Sequence, residues 1–502
     1  MINFKTISPN VRASNVFIEL FGKKKTVSGD VLPPIGLIIG QYDPLKTSVV
    51  EDVPIKVTTS DEVADKTGFG FELHRQSLWI FGMLGGFYDN MYIVPVAPPS
   101  AGGKATGTIT FATNASSSGT YYFSIGGDVI QVNVASGDTP TEVGDALVAA
   151  IGANLNSMVT AVNVTGTVTL TAKDEGVNGN QIKLVQSPSG ESQSSEAPTG
   201  MTVTLPGSGG YLTGGTGNTD IHDVFFNSDE SEKLGDRFYT CISCPYTDAT
   251  NLGYLKDAWA ARKAAGVQRP FDSFVGYVKD VYADALAKPA TINSEGITPM
   301  WDPRSYSPNW ELQASVMGIV MASTAIDPGR PFKTLKTGIP INPDTGDLSY
   351  ALNDALFRAG MSYFKTVAGD LVIGDLALSY RTNSVGAETE EWYDSVSMHR
   401  RQQITYDVES LFKAEPYTRA ILAGNDSTST KDYVIKPKKV ITDLSNLVDN
   451  WNLQGWVKNV AAIKASIVAE INESNNSRLD TSMQIDEAFA LRIVANLINF
   501  IY

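Results

Sequence analysis

The feature that most constrains this chain is a break in its texture. Near Pro98-Pro99-Ser100-Ala101-Gly102-Gly103 the sequence turns rich in Thr, Val, Ser and Gly, and stays so to about Gly217. On either side, strand-like and helix-like patterns alternate. The stretch cannot continue an alternating α/β layer, so it reads as a β-rich domain inserted into one. The surrounding layer is then discontinuous in sequence. At 502 residues the chain exceeds what one core supports. With 42% hydrophobic and 19% charged residues, it can bury several cores.

Before the break, Ile35 to Ile39 reads as a strand, and Thr59-Ser60-Asp61-Glu62 offers capping residues for a short helix. A longer helix follows through Leu73, Leu78 and Phe81, then a strand from Met91 to Val96. Inside the insert, strands are expected at Thr108 to Ala112, Tyr121 to Ile125 and Asp128 to Val134, the last two joined at Gly126-Gly127. Thr139-Pro140-Thr141-Glu142 is a capping box with Pro at the first helical position, and Val143, Leu147 and Ile151 share one helical face. Strands at Val159 to Val164 and Thr167 to Ala172 meet at Gly166, and a flexible Gly-rich linker returns to the core. The insert is expected to face outward and to be dispensable for assembly.

The α/β pattern then resumes with strands at Arg237 to Ser243 and Phe271 to Val278. Helices are expected at Ala249 to Ala265, Trp310 to Ser323 and Leu348 to Phe364. A further unit begins beyond Arg381, with helices at Tyr393 to Phe412 and Val440 to Trp451 and a strand at Ala462 to Ile471. At the N-terminus, Val16, Ile18 and Leu20 alternate with Phe17, as in an extended arm. At the C-terminus, Ile493 and Leu497 alternate with Val494, Ile498 and Phe500. A helix would also fit Val494, Leu497, Ile498 and Ile501, so periodicity does not decide. A strand buried on both sides is the reading adopted. The expected fold is therefore a multidomain α+β and α/β chain. It has a linking arm (1–22), a discontinuous α/β core (23–102 and 218–380), the insert (103–217), a C-terminal α+β domain (381–485) and a linking strand (486–502).

The formal charge of −15 and pI near 4.8 would repel a phosphate backbone, so nucleic acid is not an expected partner. Lys23 to Lys25 and Lys436, Lys438 and Lys439 read as solvated faces. Met1 to Asn10 lacks a signal-peptide core, and Ala314 to Ile326 is too short to span a bilayer, so neither secretion by that route nor membrane insertion is expected. Cys241 and Cys244 cannot build a disulfide framework and suit a reducing cytoplasm. A redox pair needs its first Cys at a helix N-terminus, whereas these lie in a strand, whose alternation sends them to opposite faces; buried, inert thiols are expected.

His74, His222 and His399 fall in three separate segments, and no nucleophile–base pair is legible. Gly207-Ser208-Gly209-Gly210 and Gly214-Gly215-Thr216-Gly217 lack the ending of a phosphate loop. Glu388, Glu390, Glu391 and Asp394 suit a helix start rather than a metal site. No catalytic, cofactor or metal residue is expected.

Several ordered pieces carry a likeness. They are Ile7-Ser8-Pro9-Asn10-Val11-Arg12 with Phe17-Ile18-Glu19, Ala105 to Thr110, Val134 to Thr139, Leu170-Thr171-Ala172 and Cys244-Pro245-Tyr246-Thr247-Asp248-Ala249. Further on stand Ser379-Tyr380-Arg381, Trp392-Tyr393-Asp394, Gly455 to Asn459 and Asn476 to Asp480. In this order the chain resembles the Mu-like bacteriophage contractile tail sheath family, except that Arg12-Ala13-Ser14-Asn15 stands where many such arms carry a Pro-Gly turn. The resemblance implies a non-enzymatic homo-oligomer of hexameric rings stacked helically around a tail tube protein, meeting baseplate and tail terminator proteins. It is assembled in the host cytoplasm and located in the virion. No cofactor is implied. Subunit contacts would fall to Val16, Phe17, Ile18, Leu20, Ile493, Val494, Leu497, Ile498 and Phe500, adding strands to neighbours' sheets, with Gly22 and Ser474 to Ser477 as hinges. The alternatives are another tail or injection-system component, or an α/β enzyme.

Overall fold

The computed structural model describes residues 31–207, 209–264, 267–342 and 345–498. These divide into two compact units, Val31–Thr405 with the segment from Phe489, and Tyr406–Ala488. The division falls inside the helix Ser395–Lys413 rather than at Arg381.

The larger unit is organised by a six-stranded sheet in the order Ile297–Trp301, Asp272–Tyr277, Cys241–Ser243, Gly36–Gln41, Met91–Val96, Ile55–Val57. All neighbours pair parallel except the edge strand Ile55–Val57. Successive side chains of a strand point to opposite faces, and here both faces are covered. Leu37 and Ile39 enter one core with Leu255 and Trp259, while Ile38 enters the other with Leu73, Ile80 and Met317. Two-sided burial explains why these strands read as continuous apolar runs. The helix Asn309–Thr324 is buried nearly all round, so its apolar stretch is core packing. No helix among the described residues is long and apolar enough to cross a membrane.

The early helices run over Ser60–Thr67, capped by Thr59, and Glu72–Met83. In the insert, the hairpin closes at Ile125 opposite Asp128, and the helix Pro140–Ala153 starts at the Thr139–Glu142 capping box. Two sheets and that helix share one core, with Phe111, Phe123, Leu147 and Leu170 at its centre. The three-residue strands Leu184–Gln186 and Thr202–Thr204 carry too little pattern to be legible.

Several expectations are corrected. The return segment is not a flexible linker: Tyr211, Thr213 and Thr216 bridge to Lys183, Thr106 and Gly103, and Leu212 is buried. The strand at Arg237 shrinks to Cys241–Ser243. Leu348 to Phe364 is a helix only over Tyr350–Ala359. It stops at Gly360, whose φ of 98° suits glycine, and a hairpin of Tyr363–Val367 with Asp370–Asp375 follows. The helix Tyr282–Ile292 and the strand Ile297–Trp301 were not legible.

In the smaller unit, Val440, Leu444, Leu447 and Trp451 line the buried face of the helix Pro437–Leu453. Ala462 to Ile471 is a helix, Val460–Ala465, before it is a strand, Val468–Ile471. That strand pairs antiparallel with Leu479–Ser482 in a two-stranded sheet. Ser474 to Ser477 lies in the connecting turn, where Asn472 Oδ1 accepts from the Ser474 and Asn475 amides at 3.0 Å each. Gly22 lies outside the described residues.

The insert is joined to the core by buried charge. Arg75, on the helix Glu72–Met83, donates to Asp128 of the insert at 2.8 Å and 3.0 Å and to Glu311 at 2.6 Å. Burial alone would lower the guanidinium pKa, but the two carboxylates outweigh it and raise it. Trp310, from a core helix, packs in the insert's own core. Removing the insert would therefore take Asp128 from Arg75 and uncover Trp310. We predict that Arg75→Leu costs about 3–5 kcal/mol in chemical denaturation, because Glu311 is left buried and unpaired. Arg75→Leu with Glu311→Gln should cost less; equal losses would contradict the ion-pair account.

His74 is 1% exposed, and its Nδ1 accepts the Gly70 amide at 2.9 Å. Burial, aided by Arg75 and Lys173, holds the imidazole pKa down to about 4 from an ordinary 6.5. The unfolded chain therefore takes up this proton first, so the contribution is complete above pH 6.5 and is lost as pH falls toward 4. The loss is on the order of 3 kcal/mol. Relative to His74→Gln, the wild type should lose stability over that window. Parallel pH profiles would refute it.

Candidate functional site

The sequence places its candidate contacts at both ends of the chain. Val16, Phe17, Ile18, Leu20 and Phe500 lie outside the described residues. Ile493, Val494, Leu497 and Ile498 are 70%, 68%, 87% and 72% exposed, and the run has neither helix nor strand. Among the described residues, the expected strand is not formed within the single chain.

What holds this segment is a residue the sequence reading missed. Arg492 sits at the edge of a cleft of about 930 Å³ lined by Tyr350, Phe357, Tyr363, Asp375, Arg381 and Tyr393, among others. Its Nε donates to Asp375 Oδ2 at 2.7 Å, and its Nη2 donates to Asp394 Oδ2. The guanidinium also lies 4.9 Å from the Phe357 ring centre and 5.7 Å from that of Tyr393. Both carboxylates are set by local structure. Asp375 ends the strand Asp370–Asp375. Asp394 caps the helix Ser395–Lys413, its Oδ1 accepting from the Ser397 amide at 2.8 Å and hydroxyl at 2.6 Å.

Burial raises both carboxyl pKa values, but the outcomes differ. At Asp394, Arg492 and the two Ser397 donors win and hold the pKa low; at Asp375, burial wins and the pKa is raised. Arg492 itself is raised, since the two carboxylates outweigh its desolvation. A signal for it was present, because Arg492 is the one charged residue from Ala488 to Tyr502. Of the acidic cluster noted in sequence, Asp394 is a helix cap, as expected, while Glu388 and Glu390 line the cleft.

The other motifs do not assemble a reaction centre. Cys241 and Cys244 are buried on opposite faces of the sheet. Burial pushes both thiol pKa values up. Asp272 bridges Ser395 at 2.5 Å and His399 at 3.3 Å, but the carboxylate stands between the hydroxyl and the imidazole, and all three are buried. A triad would need the histidine in the middle. His222 is partly exposed, with its pKa raised by hydrogen bonds to Asp223 and Glu230. Among the described residues, no group of three or more His, Cys, Asp and Glu side chains could hold a metal ion.

In doubly wound sheets, ligands enter a crevice at the carboxyl ends of the strands, where the strand order reverses. Here that place, beside Gln41, is narrowed by the insert to a pocket of about 200 Å³. Gln41 Nε2 donates to the Glu175 carbonyl at 2.7 Å and Gln41 Oε1 accepts the Glu175 amide at 3.1 Å. Glu72 accepts from Tyr246 at 2.6 Å, Asn178 at 2.7 Å and the Gln41 amide at 3.1 Å. Burial, with Glu72 alongside, raises the Asp174 carboxyl well above the usual range.

The chain thus combines a discontinuous α/β core, a β-rich insert and an exposed apolar end held through two ion pairs of Arg492, and its full-length likeness is to tail sheath proteins of Mu-like phages. The particular relative is the Mu-like prophage FluMu tail sheath protein of Haemophilus influenzae, 25% identical over 513 residues that span 100% of this chain and 99% of the relative. No family model matches the chain. Among solved structures, the sheath tail protein of Desulfitobacterium hafniense is similar at 11% identity and a TM-score of 0.46, over 94% of this chain and 100% of that one. The helical sheath of the anti-feeding prophage, in its contracted state, is similar at 10% identity and a TM-score of 0.48, over 97% and 98%.

The burial of both cysteines predicts that neither reacts with a disulfide reagent in the folded protein and that both react in denaturant. Native-state labelling of either thiol would contradict the assigned packing.

Proposed function

We propose that this protein is the subunit of a contractile tail sheath, polymerising with copies of itself around a tail tube and contracting to drive the tube through a host envelope. The observation that carries the reading is end-to-end similarity to the FluMu tail sheath protein, with nothing of substance left over in either chain. Hexameric rings stacked helically, contacts with a tube, baseplate and terminator, and a place in the virion tail after assembly in the host cytoplasm all belong to this proposal.

The geometry offers a linking device. Ile493 to Ile498 present apolar side chains and unpaired backbone to solvent. The two-stranded sheet Val468–Ile471 with Leu479–Ser482 is small enough to gain from added strands. A terminal segment from one subunit adding to such a sheet on another would exchange main-chain hydrogen bonds and bury side chains worth about 1.5–3 kcal/mol each. The enzyme reading gains no support from the pocket beside Gln41, where Gln41 and Glu72 are bonded to the insert.

Electron microscopy of the purified protein should show long tubes or stacked rings. Deleting Ile493 to Tyr502, which leaves Arg492 in place, should give a chain folded by circular dichroism that stays monomeric, and Ile498→Asp should weaken assembly in the same direction. Normal tubes from the truncated chain would overturn the linking role of this segment.

A further inference from the structure

We propose that Arg492 is a positioning residue, a latch that fixes the root of the C-terminal segment on the core so that the apolar residues beyond it are offered to a second copy of the chain from a defined point. The choice of partner rests on the sheath reading; the latch itself does not.

The socket is formed by structure that does not depend on the tail. Asp394 is oriented by its own helix start, through Ser397, and Asp375 accepts the Leu376 amide at 3.1 Å, with Lys333 at 3.5 Å. Both carboxyl groups are nearly buried, with residue exposures of 5% and 2%. Two such acidic groups beside each other call for a cation, and a planar guanidinium can serve both at once through separate nitrogens, with Phe357 and Tyr393 beside it. Lysine is a single point charge and cannot reproduce that fork.

Beyond Arg492 the chain makes no regular structure, and Ile493 to Ile498 are exposed. Arg492 is thus the held point of a segment that is exposed on both sides of it, Leu491 at 76% as well as Ile493 at 70%. The ten residues from Ile493 to Tyr502 span at most about 35 Å when extended, so an acceptor on another copy must lie within roughly that radius of Arg492. Fixing the root raises the effective concentration of the strap over that neighbour without adding a contact to it.

The test uses the full chain with spin labels at Ala495→Cys and Val385→Cys, since both native thiols are buried. The unassembled chain should give a narrow distance distribution. Arg492→Leu combined with Asp375→Asn and Asp394→Asn strands no buried charge, since Lys333 reaches solvent, and keeps a capping side chain at 394, so it should fold by circular dichroism, yet broaden the distribution. Arg492→Lys should broaden it in part. A wild-type distribution already broad, or one equally narrow in the triple variant, would overturn the latch.

In assembly, the triple variant retains Ile493 to Ile498 but should need about tenfold more protein to form tubes. Unchanged assembly with a broadened distribution would overturn the claim that anchoring serves the second copy. A wild type that forms no tubes under any condition would count against the sheath reading instead, leaving the distance result to stand or fall alone.

Discussion

A parallel sheet with apolar side chains on both faces has to be covered on both faces, and most of the larger unit follows from that constraint. The central strand Gly36–Gln41 sends Leu37 and Ile39 one way and Ile38 the other. Helices must then come from distant parts of the chain: Glu72–Met83 and Asn309–Thr324 on one side, Ala249–Lys263 and Tyr282–Ile292 on the other. A β-rich domain can interrupt such a layer only if its two ends return close together. The pairing of Gly103 with Thr216 brings them there.

Two of the buried ion-pair groups in this unit hold separate pieces together. Arg75 links insert to core through Asp128 and Glu311, and Arg492 links the terminal segment through Asp375 and Asp394. In each case one guanidinium spans two carboxylates that local structure already places. Such pairs add little net stability over an apolar replacement, but losing one member is costly, so they favour one arrangement over others.

The crevice beside Gln41 shows how a layout often used for ligand binding can serve another end. Its polar groups are there, but they bond to one another and to the insert. Fold and site are separable, and here a domain docks at the rim of the position commonly used for chemistry.

Elements with strong local signals were legible in the sequence. The capping box at Thr139, the hairpin at Gly126-Gly127, the strand Met91–Val96 and the opposite placement of Cys241 and Cys244 all depend on near neighbours, which the sequence displays. The ordered motifs also carried the likeness to sheath proteins. Three-residue strands, the break of one expected helix at Gly360 and the built-in return of the insert depend on partners far away in sequence, so local pattern could not reveal them. The same holds for Arg492. By itself it is one basic residue before an apolar run, and only tertiary structure decides that a strand end and a helix cap bring two buried carboxylates to meet it. The sequence determined which residues are apolar, capped or turning; the fold decided which of the charged ones are held, because a carboxylate pair becomes a socket only once its members are brought together and taken out of water.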